Sequence, residues 1–192
     1  MGYYVPEGQL LETEENRYYL QNEETLKSAM RIGQILEGRA LLCDYNHNLI
    51  VDMGCCRGVI PREEGALGIK EQTVRDIAII SRVNKPVCFV VTGLETDAYG
   101  SPVARLSRRI AQEQCRSRYL NALRPGDILP ARVTHLEQFG AFVDIGVHQD
   151  GLVHISQISN KFIKHPSEVL SVGDVVKVVV LEADAAKKRI SL

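Results

Sequence analysis

The 192-residue chain has no tryptophan, and only 6% of it is aromatic, so any aromatic that packing does not require is informative. Its five cysteines are an odd number, with no Cys-x-x-Cys pair and no histidine at ligand spacing, which argues against a disulfide framework and a zinc site. They read as small buried apolar residues, the adjacent Cys55 and Cys56 being candidates for oxidant sensitivity. No apolar run approaches the roughly 20 residues of a membrane span. The opening Met1-Gly2-Tyr3-Tyr4-Val5-Pro6 has neither a basic-then-apolar signal layout nor a myristoylation pattern, so a cytoplasmic protein with no membrane partner is expected. Catalytic signatures are missing too: there is no Walker glycine loop, no Gly-x-Ser-x-Gly, no His-Glu-x-x-His and no Ser, His and Asp at a nucleophile's spacing. His135, His148 and His165 stand singly. The sequence therefore predicts no active site, no cofactor, no metal and no small-molecule substrate; the chain is read as a non-enzyme.

What is present is a globular composition, 45% apolar and 24% charged, with room for one or two small domains. The net charge of −1 hides an uneven distribution. Residues 1–32 are acidic, 123–192 are balanced, and the one basic segment is 104–122, with five arginines against Glu113. Any basic footprint for a polyanion has to be local.

The most telling stretch is Phe139-Gly140-Ala141-Phe142-Val143-Asp144-Ile145-Gly146, followed by Gly151-Leu152-Val153-His154-Ile155-Ser156. With a period of two, Ala141, Val143 and Ile145 face a core and Phe142 faces away from it. A phenylalanine turned outward has no packing reason to be there. Leu152 has the same parity as His154, so a twist or bulge is expected beside it.

Taken with Gly126-Asp127-Ile128, Pro166, Gly173-Asp174-Val175-Val176, Asp184 and Arg189-Ile190-Ser191-Leu192, residues 123–192 resemble the RNA-binding repeat of ribosomal protein S1, a five-stranded Greek-key OB barrel. The resemblance implies that Phe139 and Phe142 stack unpaired bases, that His154 stacks or donates a hydrogen bond, and that Arg189, with Lys188, is the basic group beside them. Asp184 would fix the turn or orient Arg189. Lys161 and Lys164, in the loop after the third strand, are candidate phosphate contacts. Leu192 falls within the last strand pattern, where the family usually continues, which keeps a fragment of a larger RNA-processing enzyme among the alternatives.

Set against itself at an offset near 92, the chain shows an internal repeat. Gly33-Gln34-Ile35-Leu36 matches Gly126-Asp127-Ile128-Leu129, Val51-Asp52-Met53-Gly54 matches Val143-Asp144-Ile145-Gly146, and Leu94-Glu95-Thr96-Asp97 matches Leu181-Glu182-Ala183-Asp184. In that register His47, Ile50, Pro61 and Val103 stand where Phe139, Phe142, His154 and Arg189 stand in the second copy. The first copy keeps the core and loses the stacking groups. It also has a few extra residues between Gly65 and Asn84, where Val74, Ile77, Ala78 and Ile79 suggest a short helix.

Asn22 and Gly33 predict the ends of a helix from Glu23 to Ile32, and Ser107 predicts the cap of a helix from Arg108 to about Leu123. In the latter, Ala111, Cys115, Tyr119 and Ala122 share one stripe and Arg109, Gln112 and Arg116 a neighbouring arc, with arginine expected toward solvent. Arg105, Arg108, Arg109, Arg116 and Arg118 have the density of a phosphate track, Arg109 and Arg116 being the candidate contacts, with pairing to nearby carboxylates the alternative. The expected fold is mainly β, two tandem five-stranded OB-fold barrels joined by an α-helical linker. The divisions are an arm and short helix over 1–32, with residues 1–21 disordered or docked through tyrosines, a degenerate barrel over 33–107, the linker over 108–124 and an RNA-binding barrel over 125–192. The function expected is single-stranded RNA binding of low sequence specificity, in translation or RNA metabolism, with a ribosome or ribonuclease as possible partner. The alternative is a module that docks on such a partner protein.

Overall fold

A computed structural model describes residues 4–184 and 189–192, apart from the side chains of Asp184 and Arg189. The fold is mainly β and falls into two units, Glu7–Glu113 and Gln114–Leu192, the second including residues 4–6. Among the described residues, no helix is long and apolar enough to cross a membrane.

The first unit begins with α1 (Glu14–Tyr19), in the arm expected to be disordered or docked through tyrosines, and α2 (Glu23–Ile32). Local chemistry bounds α2. Asn22 caps it through a reciprocal bond pair with Thr25, and Gly33 ends it at φ 64°, a left-handed conformation that glycine adopts without strain. The strands are β1 (Leu36–Cys43), β2 (Leu49–Asp52) and β3 (Arg57–Ile60); after α3 (Ile77–Ile80) come β4 (Pro86–Thr96) and β5 (Pro102–Ser107). They close a barrel in the order β1-β2-β3-β5-β4, with β3 and β5 parallel and every other pair antiparallel. Leu36, Ala40, Leu49, Val51, Ile60, Phe89, Ala104 and Leu106 fill it and are fully buried. The short helix expected in the insertion is α3, and Ile79 anchors it.

The arm is held mainly by carboxylates. Glu37, wholly buried in β1, accepts hydrogen bonds from the amides of Gly8, Leu10 (2.8 Å) and Leu11 (2.9 Å), and Asn16 bonds the Glu37 backbone in both directions (2.8 and 2.9 Å). Burial pushes the Glu37 carboxyl above the ordinary carboxylate range; the Gly8 and Leu10 amides oppose that shift, and the nearby Glu7 adds to it. Glu7 itself is buried and grips Arg108, which donates from Nε (2.9 Å) and Nη2 (3.1 Å). A tyrosine contributes elsewhere: Tyr4 stacks on Tyr119 in the second unit, ring centroids 5.7 Å apart.

Ser107 ends β5 and caps α4 (Arg108–Arg118), its Oγ accepting from the Ile110 amide at 3.0 Å. The helix is shorter than expected, giving way to a 3₁₀ turn at Leu120–Ala122. Ala111 and Cys115 are buried as their stripe predicts, and burial pushes the Cys115 thiol far up.

The second unit contains β6 (Ile128–Glu137), β7 (Gly140–Asp144), β8 (Asp150–His154), α5 (Ile155–Ile158), β9 (Val175–Val179), β10 (Glu182–Asp184) and β11 (Arg189–Ser191). They form one curled sheet in the order β10-β11-β8-β7-β6-β9. The pairings repeat those of the first unit, including a parallel pair between β8 and β11. The difference from the expected five strands is a break in the fourth. Val180 still exchanges backbone bonds with Gly126 and Asp127 (2.8 Å each), whereas Leu181 donates to Ser191 (2.8 Å), so the chain changes partner between these residues and the strand is split into β9 and β10. The two outer strands of the sheet are thus consecutive in the chain. Leu129, Ala131, Val133, Val143, Ile145, Val178, Val180 and Leu192 form the core.

Candidate nucleic-acid interface

Along β7 the side chains alternate as the sequence predicts: Ala141, Val143 and Ile145 are wholly buried, and Phe142 is half-exposed on the outer face. The neighbouring strand β6 is irregular. Val133 pairs with Val143, but the next pair is His135 with Phe142, so Thr134 is an extra residue. Regular pairing would place His135 on the same side as Ala131 and Val133, in the core. The bulge reverses the parity and brings His135 to the outer face beside Phe142, ring centroids 6.3 Å apart. Thr134 holds the distortion with a hydrogen bond from Oγ1 to the Phe142 carbonyl, 3.2 Å.

Phe139, in the turn before β7, is 49% exposed and meets Phe142 edge to face with centroids 6.0 Å apart. His135, Phe142 and Phe139 therefore make a continuous aromatic surface. Sequence reasoning did not include His135; the signal that would have found it is the bulge, which depends on the partner strand. A carboxylate lies at its edge, Glu137 Oε1 being 2.7 Å from His135 Nε2.

His154 ends β8 opposite Gly140, on the same face as Phe142 and Leu152. The pairing of β7 with β8 is unbroken from Gly140–His154 to Asp144–Asp150, so the bulge expected at Leu152 is not there. Leu152 shares the face because its strand is regular. Gly140 is required at this pair, since a Cβ would run into the Val153 carbonyl oxygen. The Ser156 amide donates to His154 Nδ1 at 3.3 Å, and Ser156 Oγ lies 2.8 Å from the same nitrogen. A backbone amide can only donate, so neutral His154 carries its proton on Nε2, the nitrogen left to donate to a ligand.

A family model described as "S1 RNA binding domain" matches residues 122–192, the segment that carries this face. Residues 122–192 are an S1 domain. Over 73 residues the chain is 62% identical to "Protein YhgF" of Escherichia coli, covering 38% of this chain and 9% of that protein. Over 190 residues it is 35% identical to "Small ribosomal subunit protein bS1" of Mycobacterium tuberculosis, covering 97% of this chain and 37% of that protein. The solution structure of GSP13 from Bacillus subtilis is 44% identical, covering 36% of this chain and 54% of that one, with a TM-score of 0.35. The chain thus spans well under half the length of these two curated relatives.

Of the other residues singled out in the S1 domain, Lys161 and Lys164 are exposed in the loop after α5. Arg189 lies in β11, two residues before Ser191, which pairs with Leu152; its side chain and the whole of Lys188 lie outside the described residues. The loop also holds Phe162, which the sequence reading passed over and which is 89% exposed.

Three of the arginines in the basic segment, Arg105, Arg108 and Arg109, are engaged by carboxylates of the first unit. Arg108, only 1% exposed, also donates to the Gly65 carbonyl (3.2 Å) and is out of reach of any phosphate. Arg109 is tied to Glu64 Oε1 through Nε and Nη2 (3.2 and 3.1 Å), and Arg105 approaches Glu95 at 3.4 Å. Gln112, on the same arc as Arg109, is buried, and its Oε1 accepts from the Leu67 amide at 2.9 Å. Arg116 is half-exposed.

In the first barrel a bulge at the same place sets Leu42 opposite Ile50. Leu41 and Leu42 are each 48% exposed, an apolar surface where the S1 domain has aromatic rings. His47, which the internal-repeat register sets against Phe139, is turned to Asp76, Nδ1 to Oδ2 3.1 Å.

Proposed function

We propose that this chain binds single-stranded RNA without catalysis and with little sequence specificity. Bases stack on Phe139, Phe142, His154 and His135, while Arg189, with Lys188, Lys161 and Lys164, contacts the backbone. The observation that carries this reading is the exposed ring cluster on an S1 domain. Aromatic faces accept any base, so affinity comes without base-edge discrimination. The division of labour is part of the proposal: residues 125–192 bind, residues 33–107 brace them as a degenerate copy, and 1–32 and 108–124 serve as arm and linker. The ribosomal relative supports a role in translation or RNA metabolism, in the cytoplasm, with the ribosome as a partner.

Fluorescence anisotropy with an unstructured RNA oligonucleotide tests the reading. Phe142→Ala is expected to weaken binding by about 1–3 kcal/mol, the value of one stacked base. Unchanged affinity with an unchanged melting temperature would remove the site.

A second reading, docking on a ribosomal or ribonuclease protein, is favoured by Leu41 and Leu42 on the first barrel. It predicts that charged substitutions there abolish capture of a protein partner and leave RNA affinity intact.

A further inference from the structure

Phe162 is the most exposed of the four phenylalanines: Phe89 is fully buried, Phe142 half-exposed and Phe139 49% exposed, against 89% for Phe162. The equally exposed Tyr45 and Tyr99 each carry a hydroxyl that water can solvate, which Phe162 lacks. Burying such a ring would stabilise the fold, a gain this fold forgoes.

The backbone around it is fixed. Ser159 Oγ accepts from the Lys161 amide at 3.0 Å, and Glu168 Oε1 accepts from the amides of Lys164 (2.8 Å) and His165 (3.1 Å). His165 Nδ1 accepts from the Ser167 amide at 3.1 Å, completing the cap of the 3₁₀ turn Pro166–Glu168. Both ends of the segment are fastened to the strands that carry the ring cluster. At its start the Ile155 amide donates to the Phe139 carbonyl (2.9 Å) and α5 packs on β7 and β8; at its end the 3₁₀ turn packs on β6. Residues 159–165 contain Lys161 and Lys164 and no acidic group.

We propose that this loop is a second stacking station for the same single strand, with Phe162 as the platform and Lys161 and Lys164 as phosphate contacts. This rests on the RNA-binding reading above and extends it by naming a residue outside the barrel face. A rigid loop that displays a bare ring between two cations suits a ligand that alternates flat apolar groups with negative charges. Because the loop is already ordered by its own hydrogen bonds, little conformational entropy is lost when the ring is covered.

The test uses the full chain and two oligouridines, one of about four nucleotides and one of about sixteen, the limits of a single OB fold's site size. Phe162→Ala should weaken the long oligonucleotide roughly five- to hundredfold, leave the short one unchanged and leave the melting temperature unchanged. Phe162→Trp should retain the affinity and Phe162→Leu should lose it. Replacing Lys161 and Lys164 with glutamine should flatten the slope of log affinity against log salt by about 1.4, two contacts at about 0.7 each. If Phe162→Ala matches the parent on both lengths while Phe142→Ala weakens both, the loop proposal is overturned and the barrel site stands. If Phe142→Ala has no effect either, the RNA reading itself fails. Retained affinity in Phe162→Leu would mean apolar docking in place of stacking and would also overturn the proposal.

Discussion

His135 stands opposite Phe142, not in the core, because Thr134 is one residue more than the β6–β7 ladder accommodates. The register shift costs regular pairing at one position and adds a ring to the outer face. His135→Ala should therefore weaken RNA binding by about 1 kcal/mol, at the low end of a stacking contact, and leave thermal stability nearly unchanged. A large loss of stability would place the ring in the core.

Changing Phe142 and His154 together to alanine should cost about 2–5 kcal/mol of RNA affinity, one stacked base on each. His154 also caps α5 through Ser156, so its loss should loosen the start of the following loop by about 1 kcal/mol. Binding and amide exchange of the loop, measured side by side, separate the two effects.

Arg109 shares Glu64 Oε1 between two of its nitrogens. Arg109→Gln should leave the salt dependence of RNA binding untouched and lower stability by no more than about 1 kcal/mol. A slope flattened by about 0.7 would show that the arginine leaves Glu64 for a phosphate.

Glu37 is held above the ordinary carboxylate range by burial. A carboxyl whose pKa is raised on folding favours the folded state when protonated. Its contribution is thus fully present below the ordinary carboxylate range and is lost as pH rises through the raised value. Glu37→Gln should remove that part of the pH dependence of melting. Glu37→Ala should cost on the order of 3 kcal/mol, because the Gly8, Leu10 and Leu11 amides lose their acceptor. An acid-side slope in Glu37→Gln equal to that of the parent chain would contradict the assignment.

Glu7→Ala leaves the Arg108 guanidinium buried without its bidentate partner. The expected cost is about 3–5 kcal/mol by chemical denaturation. Replacing Glu7 and Arg108 together with apolar residues should recover much of it.

The parts of this molecule legible in the sequence are those decided within a few residues. Asn22 and Gly33 bound α2, Ser107 caps α4, and the alternation of Ala141, Phe142 and Val143 sorts inner from outer face, because capping bonds and strand parity are local. The aromatic pair Phe139 and Phe142 was legible for the same reason. The tertiary structure decided the rest. A bulge belongs to a pair of strands, so nothing in β6 by itself indicated that His135 would turn outward or that Leu152 would need no bulge. Arg108 and Arg109 are neighbours of identical type, yet one is buried against Glu7, 101 residues away in the chain, and the other is tied to Glu64 at the half-exposed edge. A buried charge persists only where distant chain segments converge to supply its counter-charge, and that convergence is a property of the packed fold.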